Sequence, residues 1–399
     1  MNTKAFYIVL ASLSCLKIAL SFFLPSIQTW EDYLIAENIL ESGNFYYEND
    51  GAINHSFQFP VYPILLSIAL AMNHSAVSGI ILNILLAAVA CLFFRSNLQK
   101  LLFKGWIPLS MKKIHLLCLL PLLHPAFLYY ELMHVHPFIH DFLMLNIGIG
   151  ALLYLMDKGS RHPVEGGIMI GLAVLGRGTF IIFPALIIVI LIYQKAFKKL
   201  GYALLGMTIM VSPWLMHNYL SDGILGLTST NGKILWKGSL HNSEGGNYLL
   251  NGKNYYSALT QDDFRTLQYS SVKEQNEFFL SKYKKTLSNE PEHVFRLFAI
   301  KLKNFWFLPE RISEDNGDQL KNPWLLYRIF NFVLVILLLI ALIKYLKLKL
   351  LMLPFIMLSL LQCWFYFESR HRLLIDPWLI ALLIASYVYY TAKKSENAK

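Results

Sequence analysis

The sequence predicts an all-α, polytopic membrane protein of about ten spanning helices, with an interfacial helix in its first loop and a helical loop of roughly 100 residues. Three observations predict it. Of the 399 residues, 56% are hydrophobic and only 15% charged, too few to clothe a soluble fold of this length. The apolar residues fall into recurrent blocks near the ~20 residues that a bilayer requires. The basic residues punctuate the ends of those blocks, which is how membrane orientation is written into a chain. The net charge of +10 thus marks orientation, and nucleic acid is not an expected partner. The four cysteines, Cys15, Cys91, Cys118 and Cys363, sit singly inside apolar blocks and read as small buried hydrophobes.

Taken in order, spans are expected at 6–24, 77–94, 114–132, 138–156, 165–176 with 179–194, 201–218, 324–343, 350–367 and 373–391. The first is read as uncleaved, because no small-residue cleavage site follows Leu24. The pair around Gly176-Arg177-Gly178 consists of two short halves. Counting it as two crossings puts every basic connection on one side: Arg95 to Lys113, Lys158 with Arg161, Lys195 to Lys199, Lys344 to Lys349, and the tail with Lys393, Lys394 and Lys399. The expectation is a cytoplasmic (inner) membrane protein with both termini inside. Three regions follow from the spans: 1–218 with a first outer loop at 25–76, an extracytoplasmic loop domain at 219–323, and C-terminal spans with a tail at 324–399. Within the first loop, the apolar run opened by Phe59-Pro60-Val61-Tyr62-Pro63 is too short to span and reads as a helix lying in the interface. The loop domain carries mixed charge with apolar periodicity over 274–307, the pattern of a folded unit.

The residues able to carry chemistry all fall on the expected outer side. Glu31 and Asp32 stand together just past the first span. Carboxylates at a membrane boundary are costly unless solvated, paired or used. One of them can take a proton from an attacking hydroxyl or amine, or hold a metal that neutralises a leaving phosphate. Equally, the two can serve the positive N-terminal end of a helix over 33–41. Phe367-Glu368-Ser369-Arg370-His371-Arg372 follows the ninth span. Arg370 and Arg372 break the charge rule there, and guanidinium groups suit phosphate. Arg177 occupies a similar outer tip. Each arginine can instead pair with a carboxylate such as Glu368 or reach lipid phosphates. His134, His136 and His140 with Asp141 offer metal ligands, but Pro137 interrupts any single helical face, so a divalent metal is possible and no ligand set is defined. His217 and Asn218, after Pro213-Trp214, can line a polar site.

In this order, the segments resemble the C-type membrane glycosyltransferases (the GT-C fold), the group containing protein O-mannosyltransferases and the lipid A aminoarabinose transferase. The matching pieces are Glu31-Asp32-Tyr33; Phe59-Pro60-Val61-Tyr62-Pro63; the stretch from Gly171 to Arg177; Pro213-Trp214 with His217-Asn218; Asn289-Glu290-Pro291 leading to Lys303 and Trp306; and Glu368 to Arg372 before Pro377. The resemblance implies a polyprenyl-phosphate sugar donor used at the outer face of the membrane. It implies Asp32, with Glu31, as catalytic base or metal ligand, and Arg372 and Arg177 on the donor phosphate. The acceptor is a glycan, a lipid or a protein. The pair Arg370-His371-Arg372 departs from the family's usual Arg-Tyr, and His136-Pro137 stands where relatives often carry an acid. Two other readings share these features. A glycan polymerase or ligase would use a diphosphate-linked donor and need no first-loop acid. A transporter would need ionisable groups at mid-membrane depth, and the span centres look nearly free of them.

Overall fold

The computed structural model describes residues 1–24, 26–49, 52–157, 159–308, 321–344 and 346–397. Lys158, Lys399 and the loop stretch 309–320 lie outside the described residues, as do the side chains of Lys344, Lys347, Lys393 and Lys394. The chain is all-α apart from a few two- and three-residue strands.

Among the described residues, six helices are long and apolar enough to cross a membrane: Thr3–Ser21, Ala76–Phe103, Phe138–Leu155, Phe197–Asp222, Trp324–Ile343 and Ser369–Ala392. The expected third span is broken, running as Met111–Leu123 and Pro125–Met133 with a 49° bend between them. Pro125 accounts for the break, since it has no N–H to continue the preceding ladder. The remaining three expected spans, Pro163–Gly176, Gly178–Tyr193 and Leu348–Trp364, are apolar helices of shorter length. Val61–Met72 forms the short helix expected in the first loop. Tyr62, Leu66 and Leu70 face inward on it, while Ile64, Ile68 and Met72 are exposed at helical spacing.

By internal contacts the chain forms two units, and they regroup the three regions expected from the spans. The first comprises Met1–Tyr47, Phe59–His217 and Ile380–Lys399. Its centre is Phe138–Leu155, a predominantly apolar helix that is buried almost throughout, with His140, Asp141 and Asn146 its polar residues. Pro163–Gly176 lies against Phe197–Asp222 at bare backbone. A Cβ on Gly167 would stand 2.0 Å from the Ala203 carbonyl oxygen, and one on Gly206 would stand 2.1 Å from that of Val164. Reciprocal small residues are how apolar helices approach closely where lipid supplies no hydrophobic drive. Three of the basic connections also meet in this unit: Lys104 Nζ is 3.2 Å from an Asp157 carboxylate oxygen, and Lys199 Nζ donates to the Asp157 carbonyl at 2.5 Å. The Gly159 N–H and then Lys104 hold the exposed Asp157 carboxyl below its ordinary pKa.

The second unit comprises Glu48–Gln58 and Asn218–Leu379. Its loop portion has its own core of Trp236, Leu240, Leu259, Leu267, Phe279, Tyr283 and Val294. The periodic stretch 274–307 is two helices, Val272–Asn289 and Pro291–Phe307, divided where Pro291 takes the first helical position. Ser271 opens the first of them with a reciprocal capping box to Glu274.

Candidate active site

In the first unit, the acidic motif opens the helix Glu31–Ser42, which ends on Gly43 in the left-handed conformation. The N-cap residue is Trp30, and no side chain caps that end, so neither acid is consumed as an N-cap. The positive end of the helix still favours both carboxylates. Asp32 is only 4% exposed, whereas Glu31 is half-buried.

A parallel strand pair brings the His-rich connection alongside. Gln28 and Thr29 register against His134 and Val135. The next residues on each strand then meet: Trp30 Nε1 donates to His134 Nδ1 at 3.4 Å, and the Trp30 and His136 rings pack edge to face at 5.6 Å. The His134 carbonyl accepts from Asn83 Nδ2 at 2.9 Å, and Asn83 Oδ1 accepts from the Tyr62 hydroxyl at 2.9 Å. Asp32 and Asp141 both lie close enough to the Tyr62 phenol to act on it electrostatically.

Arg177 joins from the break between two short helices. Pro163–Gly176 ends, Arg177 takes an extended conformation, and a 3-10 turn begins at Gly178. Both flanking glycines are dictated by close approach: a Cβ on Gly176 would stand 2.9 Å from His140 Cε1, and one on Gly178 would stand 2.6 Å from the Phe59 ring. The guanidinium so placed pairs with the Asp141 carboxylate while its side chain stays 19% exposed, against 2% for Asp141. His140, packed on the Tyr62 ring at 5.6 Å, is fully buried, with Nδ1 3.7 Å from Asp141.

Among the described residues no group of three or more His, Cys, Asp or Glu side chains converges to hold an ion. His134 and His136 are spent on ring packing, His136 Nδ1 accepts from the Phe138 N–H at 3.1 Å, and Asp141 is committed to Arg177. His217 stacks on Trp214 at 4.9 Å, and Phe45 packs edge-on against both rings, at 4.9 Å from Trp214 and 6.3 Å from His217.

The second unit holds the remaining expected residues. Asn218 is buried, and its amide donates to the Gly226 and Leu227 carbonyls at 2.7 and 3.3 Å, which closes the turn after its helix. Arg370 pairs with Glu368 at 2.5 Å; Glu368 also accepts from Asn247 Nδ2, and Asn247 Oδ1 accepts from Lys237 Nζ at 2.5 Å. Arg372 is 0% exposed. Its guanidinium pairs with Asp376, donates to Asn331 Oδ1 at 2.6 Å and lies over the Trp306 ring, while Asp376 also accepts from Tyr327. Such an enclosure ties three helices together and leaves the charge already neutralised.

Sequence reasoning missed Tyr62 and Asn83, and weighed Asp141 only as a possible metal ligand. Tyr62 lies inside a motif that it did single out, whereas Asn83 has no sequence signal, being one amide in an apolar span. It also overlooked two ionisable groups within spans, Lys17 and Glu131, which pair at 2.6 Å; the apparent absence of charge from the spans is corrected accordingly.

Fold and site together define a multi-pass, all-α membrane protein with a buried aspartate, Asp32, in the first turn of the helix that follows its first span. No family model matches the sequence, and no curated protein matches it. A solved structure similar to the chain is that of ArnT from Cupriavidus metallidurans bound to undecaprenyl phosphate. The match covers 99% of this chain and 80% of that one, at 10% identity and a TM-score of 0.44. None of the residue assignments rests on it.

Proposed function

We propose that this chain is a membrane glycosyltransferase that moves a sugar from a polyprenyl-phosphate donor to an acceptor at the outer face of the cytoplasmic membrane. The observation that carries the reading is the buried Asp32 in the first turn of its helix, in the same unit as the Asp141–Arg177 pair, with Tyr62 under the electrostatic influence of both aspartates. In this reading Asp32 is the general base. It takes the proton of the acceptor hydroxyl or amine as that atom attacks the anomeric carbon, and the bond from that carbon to the phosphate oxygen breaks. Arg177 meets the departing phosphate, since it keeps an exposed face beside its carboxylate partner. Arg372, expected from the sequence to share that task, is enclosed by Asp376, Asn331 and Trp306 and is assigned to the framework. Glu31, half-buried beside Asp32, orients the acceptor.

The test is transfer by purified protein from a panel of radiolabelled polyprenyl-phosphate sugars. Asp32→Asn is expected to lower kcat by about 10²–10⁴-fold while the protein stays folded. Arg177→Ala is expected to weaken both donor use and kcat. Consumption of diphosphate-linked and no monophosphate-linked sugar, with Asp32→Asn unaffected, would transfer the chain to the polymerase and ligase class.

A further inference from the structure

Lys17 and Glu131 form an ion pair inside the apolar part of the first unit. Lys17 lies in the first span, Thr3–Ser21, and Glu131 in the second half of the broken span, Pro125–Met133. Their side chains are 6% and 0% exposed. Ionisable groups at such depth are expensive and call for a reason. Stability alone is a poor one, because desolvating two charges commonly offsets their attraction, and apolar replacements of similar size do as well or better. The pair is also incompletely satisfied: Glu131 Oε1 has no hydrogen-bond partner among the described residues. What a buried pair does supply is a unique register, since a charge placed against apolar neighbours instead of its partner is heavily penalised.

The register at stake is that of the site. The segment after Lys17 continues to the strand Gln28–Thr29, and Glu131 lies one helical turn before the strand His134–Val135. Those strands form the parallel ladder that sets Trp30, two residues before Asp32, beside His134 and His136. A ladder of two residues specifies itself weakly, and a slip of one residue would turn every side chain to the opposite face. We propose that Lys17 and Glu131 are positioning residues: their ion pair locks the two segments at depth, so that the ladder above forms in one register and Asp32 is presented to the site. The link to Asp32 rests on the transferase reading; the register does not.

The experiment separates the two. Thr29→Cys and Val135→Cys are introduced together, and the disulfide between them is quantified by peptide mapping, which distinguishes it from any bond to a native cysteine. Thr29→Cys with His136→Cys reports the slipped register. Both pairs are examined in three backgrounds: the native ion pair, Lys17→Leu with Glu131→Leu, and the exchanged Lys17→Glu with Glu131→Lys. The paired leucines leave no orphaned charge, so the membrane domain is expected to fold. The in-register bond is expected to dominate in the native background, to fall several-fold with the slipped bond rising in the leucine background, and to return on exchange. In proteins without the engineered cysteines, kcat is expected to fall about tenfold or more in the leucine background with KM nearly unchanged. Equal in-register yield in all three backgrounds overturns the proposal. Loss in the leucine background without recovery on exchange also overturns it, because packing and not pairing would then be responsible. If the native protein transfers no sugar, the transferase reading fails while the disulfide yields still decide the register.

Discussion

At the scale of single residues, the same side-chain type does different things according to what encloses it. Arg177 and Arg372 both pair with an aspartate, yet one keeps an exposed face and the other is sealed. Arg372→Ala would leave Asp376 buried with only Tyr327 and its neighbours to meet it, at a cost of about 3–5 kcal/mol. Its expected signature is a large fall in unfolding midpoint in detergent with the donor KM of the folded fraction preserved; a raised KM at unchanged stability would return Arg372 to the phosphate. Lys301 offers a pH test in the loop portion. Its ammonium is buried against the carbonyls of Gly238 and Phe365 at 2.9 and 2.8 Å, and burial pushes its pKa down from 10.5 to about 8. The unfolded chain therefore holds this proton up to higher pH than the folded one does. The burial penalty is full below about pH 8 and is relieved as pH rises towards 10.5. Relative to Lys301→Met, the native protein is expected to gain up to about 3 kcal/mol across that window, read by denaturant unfolding at fixed pH steps. A flat difference between the two would show that Lys301 keeps its proton when folded.

Elements are held together here by what they omit as much as by what they carry. Pro163–Gly176 and Phe197–Asp222 meet with backbone against backbone, and any side chain at Gly167 or Gly206 must force them apart. Gly206→Leu is expected to lower the thermal midpoint and the yield of monodisperse protein sharply, whereas Gly201→Leu, at a position with no atom near its Cβ, is expected to do neither. Size-exclusion profiles with a thermal ramp check both. Hydropathy marked where these helices run, since each is a local stretch with a local pattern. The glycines that let them touch were visible only as two letters in apolar blocks, because the carbonyls they accommodate belong to another helix. The broken third span was likewise legible as one apolar block, with Pro121 and Pro125 the signs of its interruption. Within the acidic motif the helix start was readable to within two residues. That the cap would be Trp30, leaving Asp32 buried and unspent on capping, depended on the ladder to His134.

For the whole molecule, the orientation argument makes one demand that can be met in cells. Single cysteines replacing Lys112 and Lys198 are expected to resist a membrane-impermeant maleimide until the membrane is opened, while those replacing Asn242 and Glu292 react at once. The reverse pattern would place the acidic site on the cytoplasmic face and remove the transferase reading with it. The convergence of Lys104 and Lys199 on Asp157 agrees with three basic connections sharing a side. By itself, the sequence determined the class of the protein, the course of its apolar helices, the short helix at Val61–Met72 and the place of Glu31 and Asp32, because each follows from composition or periodicity within about 20 neighbouring residues. Only the tertiary structure decided which charges stay partly exposed and which are sealed: Asp141 beside Arg177, Asp376 around Arg372, and Glu131 against Lys17, 114 residues away. The physical reason is that burying a charge is tolerable only with a partner. A distant partner leaves no pattern in the sequence around either residue.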